Sequence, residues 1–210
     1  MTIPPLVLAS ASPRRRALFR QIGLRFRVVP SSVDERLSRK QSPARNARRI
    51  ALEKATDVAS GMRRGLVVGA DTIVVLGKSI LGKPKNRRDA TRMLRRLSGR
   101  SHVVFTGIAL VDALTGRAVT DVVRTRVQFR RLSDAEIADY VRSGSPLDKA
   151  GAYGIQDDFG AVFVESIDGC FYNVVGFPLV RFYQRLGEFL SSKNTKAKDR
   201  AWKKRKRSAS

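Results

Sequence analysis

Apolar residues recur along this chain in two periods, and their alternation lays out the elements. Leu6–Ser10 is a short apolar run ending in ASASP, which reads as a buried strand entering a turn. Ser12 then stands as a helix cap with Pro13 at the first helical position, where its missing N–H costs nothing. That helix runs to about Ile22 and stops at Gly23, and Phe26–Pro30 reads as a second strand. Ser42-Pro43 opens a long helix ending near Gly61, with Ala47, Ile50, Ala51, Ala55 and Val58 as its apolar stripe. Leu66–Leu76 is nearly continuous in apolar, β-prone residues, as a central strand would be. Gly77 turns the chain into a short strand around Ile80, and Asn86 caps a helix to Leu97. Two long strands follow, at about 102–113 and 118–130, joined by the turn Leu114–Arg117. Ser133 caps a helix to about Arg142, with Asp134 and Glu136 complementing the dipole of its first turn. A glycine-rich segment, 143–160, precedes strands near 161–166 and 171–175, and Gly176-Phe177-Pro178 introduces a last helix to about Leu190. Crossovers mixed with an antiparallel hairpin predict an α/β fold, a mixed sheet flanked by helices, with no internal repeat.

Length and composition narrow the class. The 210 residues suffice for one large domain or two small lobes with a hydrophobic core, and 42% hydrophobic against 29% charged residues excludes a disordered chain. No apolar run approaches the ~20 residues that cross a bilayer, so no membrane partner is expected. The longest, Leu66–Leu76, contains Asp71. MTIPPLVLAS lacks a positive n-region and a cleavage-type apolar stretch, so no signal peptide is expected. The lone Cys170 excludes an internal disulfide and a zinc ribbon, and suits a cytoplasmic location. The lone His102 excludes a histidine-based metal cluster, and both residues read as structural.

Charge complicates the picture. The formal net charge is +24, which at first suggests a nucleic-acid partner. Residues 193–210 hold nine basic residues and one acidic, a net +8; residues 1–64 hold fifteen and four, a net +11. We therefore divide the chain into a single two-lobed domain, 1–192, and a basic tail, 193–210, read as disordered. Such a tail reads first as a solvated polyelectrolyte and second as a nucleic-acid or targeting segment, and if nucleic acid binds at all it is expected to do so only there. A homodimer is compatible with the sequence.

Candidate chemistry lies inside the domain. Ser10, Ser12, Arg14 and Arg15 bring hydroxyls, a capped helix N-terminus and guanidinium forks to one point, which suits phosphate. The same residues also read as an ordinary cap followed by surface arginines. Asp71, a carboxylate within a buried strand, is costly unless it binds a metal or a cation, and it is a candidate metal ligand or general base; an arginine partner is the alternative. Lys54 lies four residues from both Ile50 and Val58, on the inward face of its helix, where it either meets an internal anion or snorkels out. Lys83 follows the Asp71 hairpin, where a cation could reach phosphates. DKAGAYGIQ, with Asp148, Lys149 and Gln156, reads as a loop closing on a ligand or as a plain surface loop. Glu35 could join Asp71 on a hard cation. There is no GxxxxGK[ST] phosphate loop. Cations, hydroxyls and a few carboxylates without a histidine or cysteine nucleophile suit phosphoryl chemistry by a divalent ion and water.

SASPRRRAL, VDE, ALEKA, VVGADTIVVLGKSILGKP, LSGRSHVVFTGIAL and DKAGAYGIQ…NVVGFPL resemble, in order and spacing over about residues 5–190, the Maf (septum-formation) family of nucleotide pyrophosphatases. The resemblance implies an elongated mixed sheet, two lobes around a deep central cleft (the Maf/ITPase-like fold), and hydrolysis of nucleoside triphosphates to the monophosphate and pyrophosphate with Mg²⁺ or Mn²⁺. It implies Asp71 as the proton acceptor that activates water, and Arg14, Thr72 and Gln156 at positions tied to substrate choice. It also implies Ser10, Ser12, Arg15, Glu35, Lys54, Lys83, Asp148 and Lys149 around the phosphates and metal, with Glu35 and Asp71 as metal ligands. DKAGAYGIQ is similar to the dTTP/UTP branch. The chain departs from the usual pattern at Asp157-Asp158-Phe159 and at VVGFPL, where VVGLPL is commoner.

Overall fold

A computed structural model describes residues 3–156 and 158–191. The proposed tail, 193–210, lies outside them. The elements follow the hydrophobic pattern: β1 (Leu6–Leu8), α1 (Pro13–Gln21), β2 (Phe26–Val28), α2 (Pro43–Ser60), β3 (Leu66–Leu76) and β4 (Ser79–Leu81). Then come α3 (Arg87–Leu97), β5 (Ser101–Asp112), β6 (Ala118–Phe129), α4 (Asp134–Arg142), β7 (Val164–Asp168), α5 (Phe171–Val175) and a last helix, α6, at 179–191. Ser12, Ser42, Asn86 and Ser133 each cap their helix by accepting from a backbone N–H in its first turn.

One sheet, in the order β2-β1-β3-β5-β6-β7, runs through the molecule, and β4 pairs β3 off that path. β5 covers one edge of β3 from Leu66 to Val75. On the other edge β1 pairs Leu66–Val68 in parallel and β4 pairs Val74–Leu76 antiparallel. Among the described residues, no strand pairs the stretch between them, Gly69–Ile73. This gap leaves the β3 edge open between its two partners and places a cleft at the middle of that strand.

The faces of the sheet are covered differently. On one side α2 packs its alanines against Val7, Val67, Ala109 and Val111. It descends onto two glycines: a Cβ on Gly69 would stand 2.1 Å from the Ala51 carbonyl oxygen, and one on Gly107 would stand 2.2 Å from that of Ala47. No side chain fits there, so the glycines set the depth of the helix. On the other side α1, α3, α4 and α6 bury Phe19, Leu94, Tyr140 and Phe182 against Leu8, Val68, Val104 and Phe129. Each such large side chain contributes about 1.5–3 kcal/mol of apolar burial.

Two stretches depart from the pattern. The strand expected near 161–166 starts only at Val164, because Asp158–Phe163 form a short 3-10 helix. FYNVV, at 171–175, is β-prone in composition and reads as a strand, yet it forms helix α5. Its fully buried Asn173 donates to the Val104 carbonyl (3.1 Å) and to Thr125 Oγ1 (2.9 Å), and Gly176 ends the helix at φ 114°. Tertiary hydrogen bonding overrides local propensity here.

Candidate active site

The gap in the β3 edge opens into a cavity of about 340 Å³. Every candidate residue named from the sequence lines it: Ser10, Ser12, Arg14, Arg15, Glu35, Lys54, Asp71, Thr72, Lys83, Asp148, Lys149 and Gln156. They arrive from four directions.

The end of β1 and the start of α1 supply the first group. Ser10 Oγ accepts from the Ser12 amide (3.2 Å) and from Arg15 Nη1 (3.3 Å). The buried Arg15 guanidinium also donates through Nη2 to Thr72 Oγ1 (3.1 Å) and through Nε to the Gly176 carbonyl (2.9 Å). Burial lowers its pKa, against the opposing charges of Asp71 and Glu35. Thr72 Oγ1 lies 3.0 Å from Thr106 Oγ1, which donates to the Asn173 carbonyl (2.9 Å). Since Thr106 gives its proton to Asn173, Thr72 donates to Thr106 and accepts from Arg15. A directed chain of hydrogen bonds thus ties the Arg15 fork to the buried interior.

β3 and α2 supply the second group. Asp71 lies two residues beyond Gly69, on the same face of β3 and opposite Gly107. Because both glycines admit α2 closely, Lys54 reaches Asp71. Its Nζ lies 2.8 Å from Asp71 Oδ1 and 2.7 Å from Glu35 Oε1. Lys54 is therefore a buried cation between two carboxylates, not a snorkelling side chain, and the partner of Asp71 is this lysine rather than an arginine. Burial pushes the Glu35 carboxyl up, but the Lys54 hydrogen bond and the charges of Lys54, Lys83 and Arg15 outweigh it and hold its pKa below the usual range.

The third and fourth groups face these across the cavity. Lys83 follows β4. Residues 145–148 and 150–152 form short 3-10 turns, and Lys149, Ala152, Tyr153 and Ile155 are buried, so DKAGAYGIQ is an inner wall and not a plain surface loop. Gly151 (φ 75°) and Ala152 (φ 63°) are both left-handed, and the Gly151 amide donates to the Gly82 carbonyl (3.0 Å), which fastens this wall beside Lys83. Asp148 accepts from Arg14 Nη1 (3.0 Å) across the mouth and from Lys149 Nζ (2.9 Å). Burial raises the Asp148 pKa, yet Lys149 and Arg14 together bring it below the usual value. Tyr153 is held from behind by buried His102, whose Nε2 lies 2.7 Å from its Oη. Burial lowers the His102 pKa to about 4, so the ring is neutral, and it raises that of Tyr153. Gln156 stands exposed at the rim.

Sequence reasoning did not single out Ser31, Tyr153 or Gly176, which also line the cavity, or Thr106 and Asn173 behind it. Val74, Val104, Ile155, Val174 and Val175 give the cavity an apolar side, so it offers both a charged and an apolar surface to one ligand. Glu35 and Asp71 sit within hydrogen-bond reach of one nitrogen and so converge as hard oxygen donors. Among the described residues no group of three His, Cys, Asp or Glu side chains could hold a metal ion. Two carboxylates fit a cation that draws its other ligands from phosphate and water, as Mg²⁺ does.

Fold and site define an α/β protein with a cleft, lined by cations and carboxylates, at the open edge of its strand β3. The family model described as Maf-like protein matches residues 5–189, and the chain belongs to the Maf family. It is similar to the dTTP/UTP pyrophosphatase of Dictyoglomus turgidum, 48% identical over 185 residues, covering 88% of this chain and 95% of that one. The dTTP/UTP pyrophosphatase of Moorella thermoacetica is 50% identical over 184 residues, covering 88% and 94%. That of Salinibacter ruber is 50% identical over 182 residues, covering 87% and 89%. Among solved structures, a HAM1 protein from Coxiella burnetii aligns with 91% of this chain and 100% of its own at 15% identity and a TM-score of 0.47, a likeness too loose to add to the fold described above. No described helix is long and apolar enough to cross a membrane.

Proposed function

We propose that this chain is a nucleoside triphosphate pyrophosphatase that hydrolyses dTTP and UTP to the monophosphate and pyrophosphate. The observation that carries the reading is the Lys54-bridged pair Asp71 and Glu35, facing Arg15 and Lys83 inside one cavity. Carboxylates alone would repel a triphosphate; set among these cations they can handle water and metal while the cations hold the phosphates. The names of the relatives support the choice of nucleotide.

Arg15, pre-oriented by Ser10, Thr72 and the Gly176 carbonyl, grips phosphate oxygens as a fixed fork. Lys54, held between Glu35 and Asp71, and Lys83 add point charges. Asp71 accepts a proton from a water molecule as the water oxygen bonds to the α-phosphorus. The bond from that phosphorus to the α–β bridging oxygen breaks, and pyrophosphate leaves with the electron pair. Glu35 and Asp71 would hold a Mg²⁺ or Mn²⁺ ion, which when bound neutralises phosphate charge as it builds. The apolar side of the cavity receives the nucleoside, with Gln156 at its rim to read the base edge. Free nucleotides as substrate suit a cytosolic site of action.

Asp71→Asn tests this. The variant should fold, because Asn keeps the shape and a hydrogen-bond acceptor for Lys54. Its release of pyrophosphate from dTTP and UTP should fall by roughly 10²–10⁴-fold, the range of a lost general base. Products are scored as pyrophosphate against phosphate in a panel with CTP and GTP. Wild-type turnover by the variant, or phosphate as first product, would sink the reading.

A further inference from the structure

Glu35 sits on a stretch, 29–38, with no regular secondary structure, and its side chain is half exposed. Such a residue keeps one place only if the backbone on both sides of it is held. The holding comes from one stripe of α2. Before Glu35, Asp57 Oδ2 accepts from Ser31 Oγ (2.9 Å) and from the Ser32 amide (3.0 Å). After it, Asn46 engages both backbone groups of Ser38: Oδ1 accepts from its amide (2.9 Å) and Nδ2 donates to its carbonyl (2.9 Å). Asn46 Nδ2 also donates to the Gln41 carbonyl (3.2 Å). Between these ends, Arg49 Nη2 donates to the Arg36 carbonyl (2.6 Å) and to Asn46 Oδ1 (3.2 Å), while Nη1 pairs with Glu53 at 2.8 Å. Positions 46, 49, 53 and 57 are spaced by three and four residues and so share one helix face. Asn46 is fully buried, where a polar amide is costly unless its groups are matched. Its two-way grip on Ser38 does for this segment what a neighbouring strand does for an edge.

We propose that Asn46 and Asp57 are positioning residues that strap residues 31–42 to α2 and thereby hold Glu35 opposite Asp71 on Lys54. The proposal rests on the reading that Glu35 serves the metal-bearing side of the cleft. Residues behind a metal ligand act on affinity for the ion, with losses of roughly 10–100-fold on substitution.

Asn46→Asp is the sharpest variant. It keeps the shape and the acceptor for the Ser38 amide and Arg49, but removes the donors to the Ser38 and Gln41 carbonyls. Asp57→Asn, at a partly exposed site, does the same work at the other end and serves if Asn46→Asp fails to fold. Three quantities are read on the full chain. They are the Mn²⁺ concentration giving half-maximal pyrophosphate release, Mn²⁺ binding followed by electron paramagnetic resonance with a non-hydrolysable triphosphate present, and the rate of tryptic cleavage after the exposed Arg36, Arg39 and Lys40. Both strap variants should raise the Mn²⁺ midpoint by roughly 10–100-fold, recover turnover at saturating Mn²⁺, and be cut faster. Glu35→Gln should raise the midpoint without faster cleavage. Folded strap variants with wild-type midpoint and cleavage, beside a shifted Glu35→Gln, would overturn the proposal alone. A Glu35→Gln midpoint equal to wild type would overturn the metal reading of Glu35 and the proposal with it.

Discussion

Arg15 shows how one side chain carries several constraints at once. Its three donor nitrogens go to Gly176, Ser10 and Thr72, which belong to the turn after α5, the turn after β1, and β3. A lysine there keeps the charge but places it on a single ammonium, which cannot span three acceptors in a plane. Arg15→Lys should therefore lower kcat/KM for UTP by at least about tenfold, equivalent to about 1.4 kcal/mol of transition-state binding. Steady-state kinetics decide it, and a change under twofold would mean the fork does not hold substrate. At this scale much of the cleft was legible in the sequence. Ser12-Pro13 announced the helix start that faces the cleft, while Asp71 in an apolar strand and Lys54 on an apolar stripe each break a local rule, and each such break marks a residue turned inward. Asn46, Asp57, Thr106 and Asn173 gave no such signal. A polar residue on a helix looks like a solvated face and a threonine in a strand looks ordinary, and their meaning lies in backbone groups distant in sequence, as between Thr106 and Asn173.

Elements were legible wherever a cap or a period announced them, and α5 was missed because its five residues have the composition of a strand and are held helical by contacts from β5 and β6. The joint between β6 and α4 is the opposite case, announced by Ser133 and Glu136. Ser133 Oγ accepts from the Glu136 amide, and Glu136 Oε2 accepts from the Ser133 amide (2.8 Å). Arg130, just past β6, adds an ion pair to Glu136 at 2.6 Å. That hydrogen bond, with those from Ser133, lowers the Glu136 pKa to about 2 from its ordinary 4.5. A carboxyl whose folded pKa is depressed stabilises the fold fully above its unfolded pKa and loses that contribution as pH falls toward the folded one. The advantage of wild type over Glu136→Gln should thus be constant from pH 7 to about 5, then shrink between about 4.5 and 2. Urea midpoints across that range measure it. An advantage that grew toward acid would mean that the carboxylate is not what holds the joint. Because α4 leads into the turn bearing Asp148, this joint also steadies one wall of the cleft.

For the whole molecule, the division of charge matters more than its total. The residues that line the cleft run from Ala9 to Gly176, and the family match ends at 189. Nine of the 42 basic residues lie beyond residue 192, outside that match. If catalysis belongs to a few placed cations and polyanion binding to the tail, the two should separate cleanly. A chain ending at residue 192 should keep its kcat/KM for dTTP and UTP and its unfolding temperature. Its affinity for duplex DNA should fall, and so should the salt dependence of that affinity. Each phosphate contact contributes ~0.9 to the slope of log K against log salt, so the tail can account for at most about 8. Fluorescence anisotropy on a labelled duplex at several salt concentrations gives both slopes. A slope unchanged by truncation would place polyanion binding on the arginines of the folded domain. A loss of pyrophosphate release would mean that the tail reaches the cleft, and that the net charge of +24 works there as a whole rather than through Arg14, Arg15, Lys54 and Lys83.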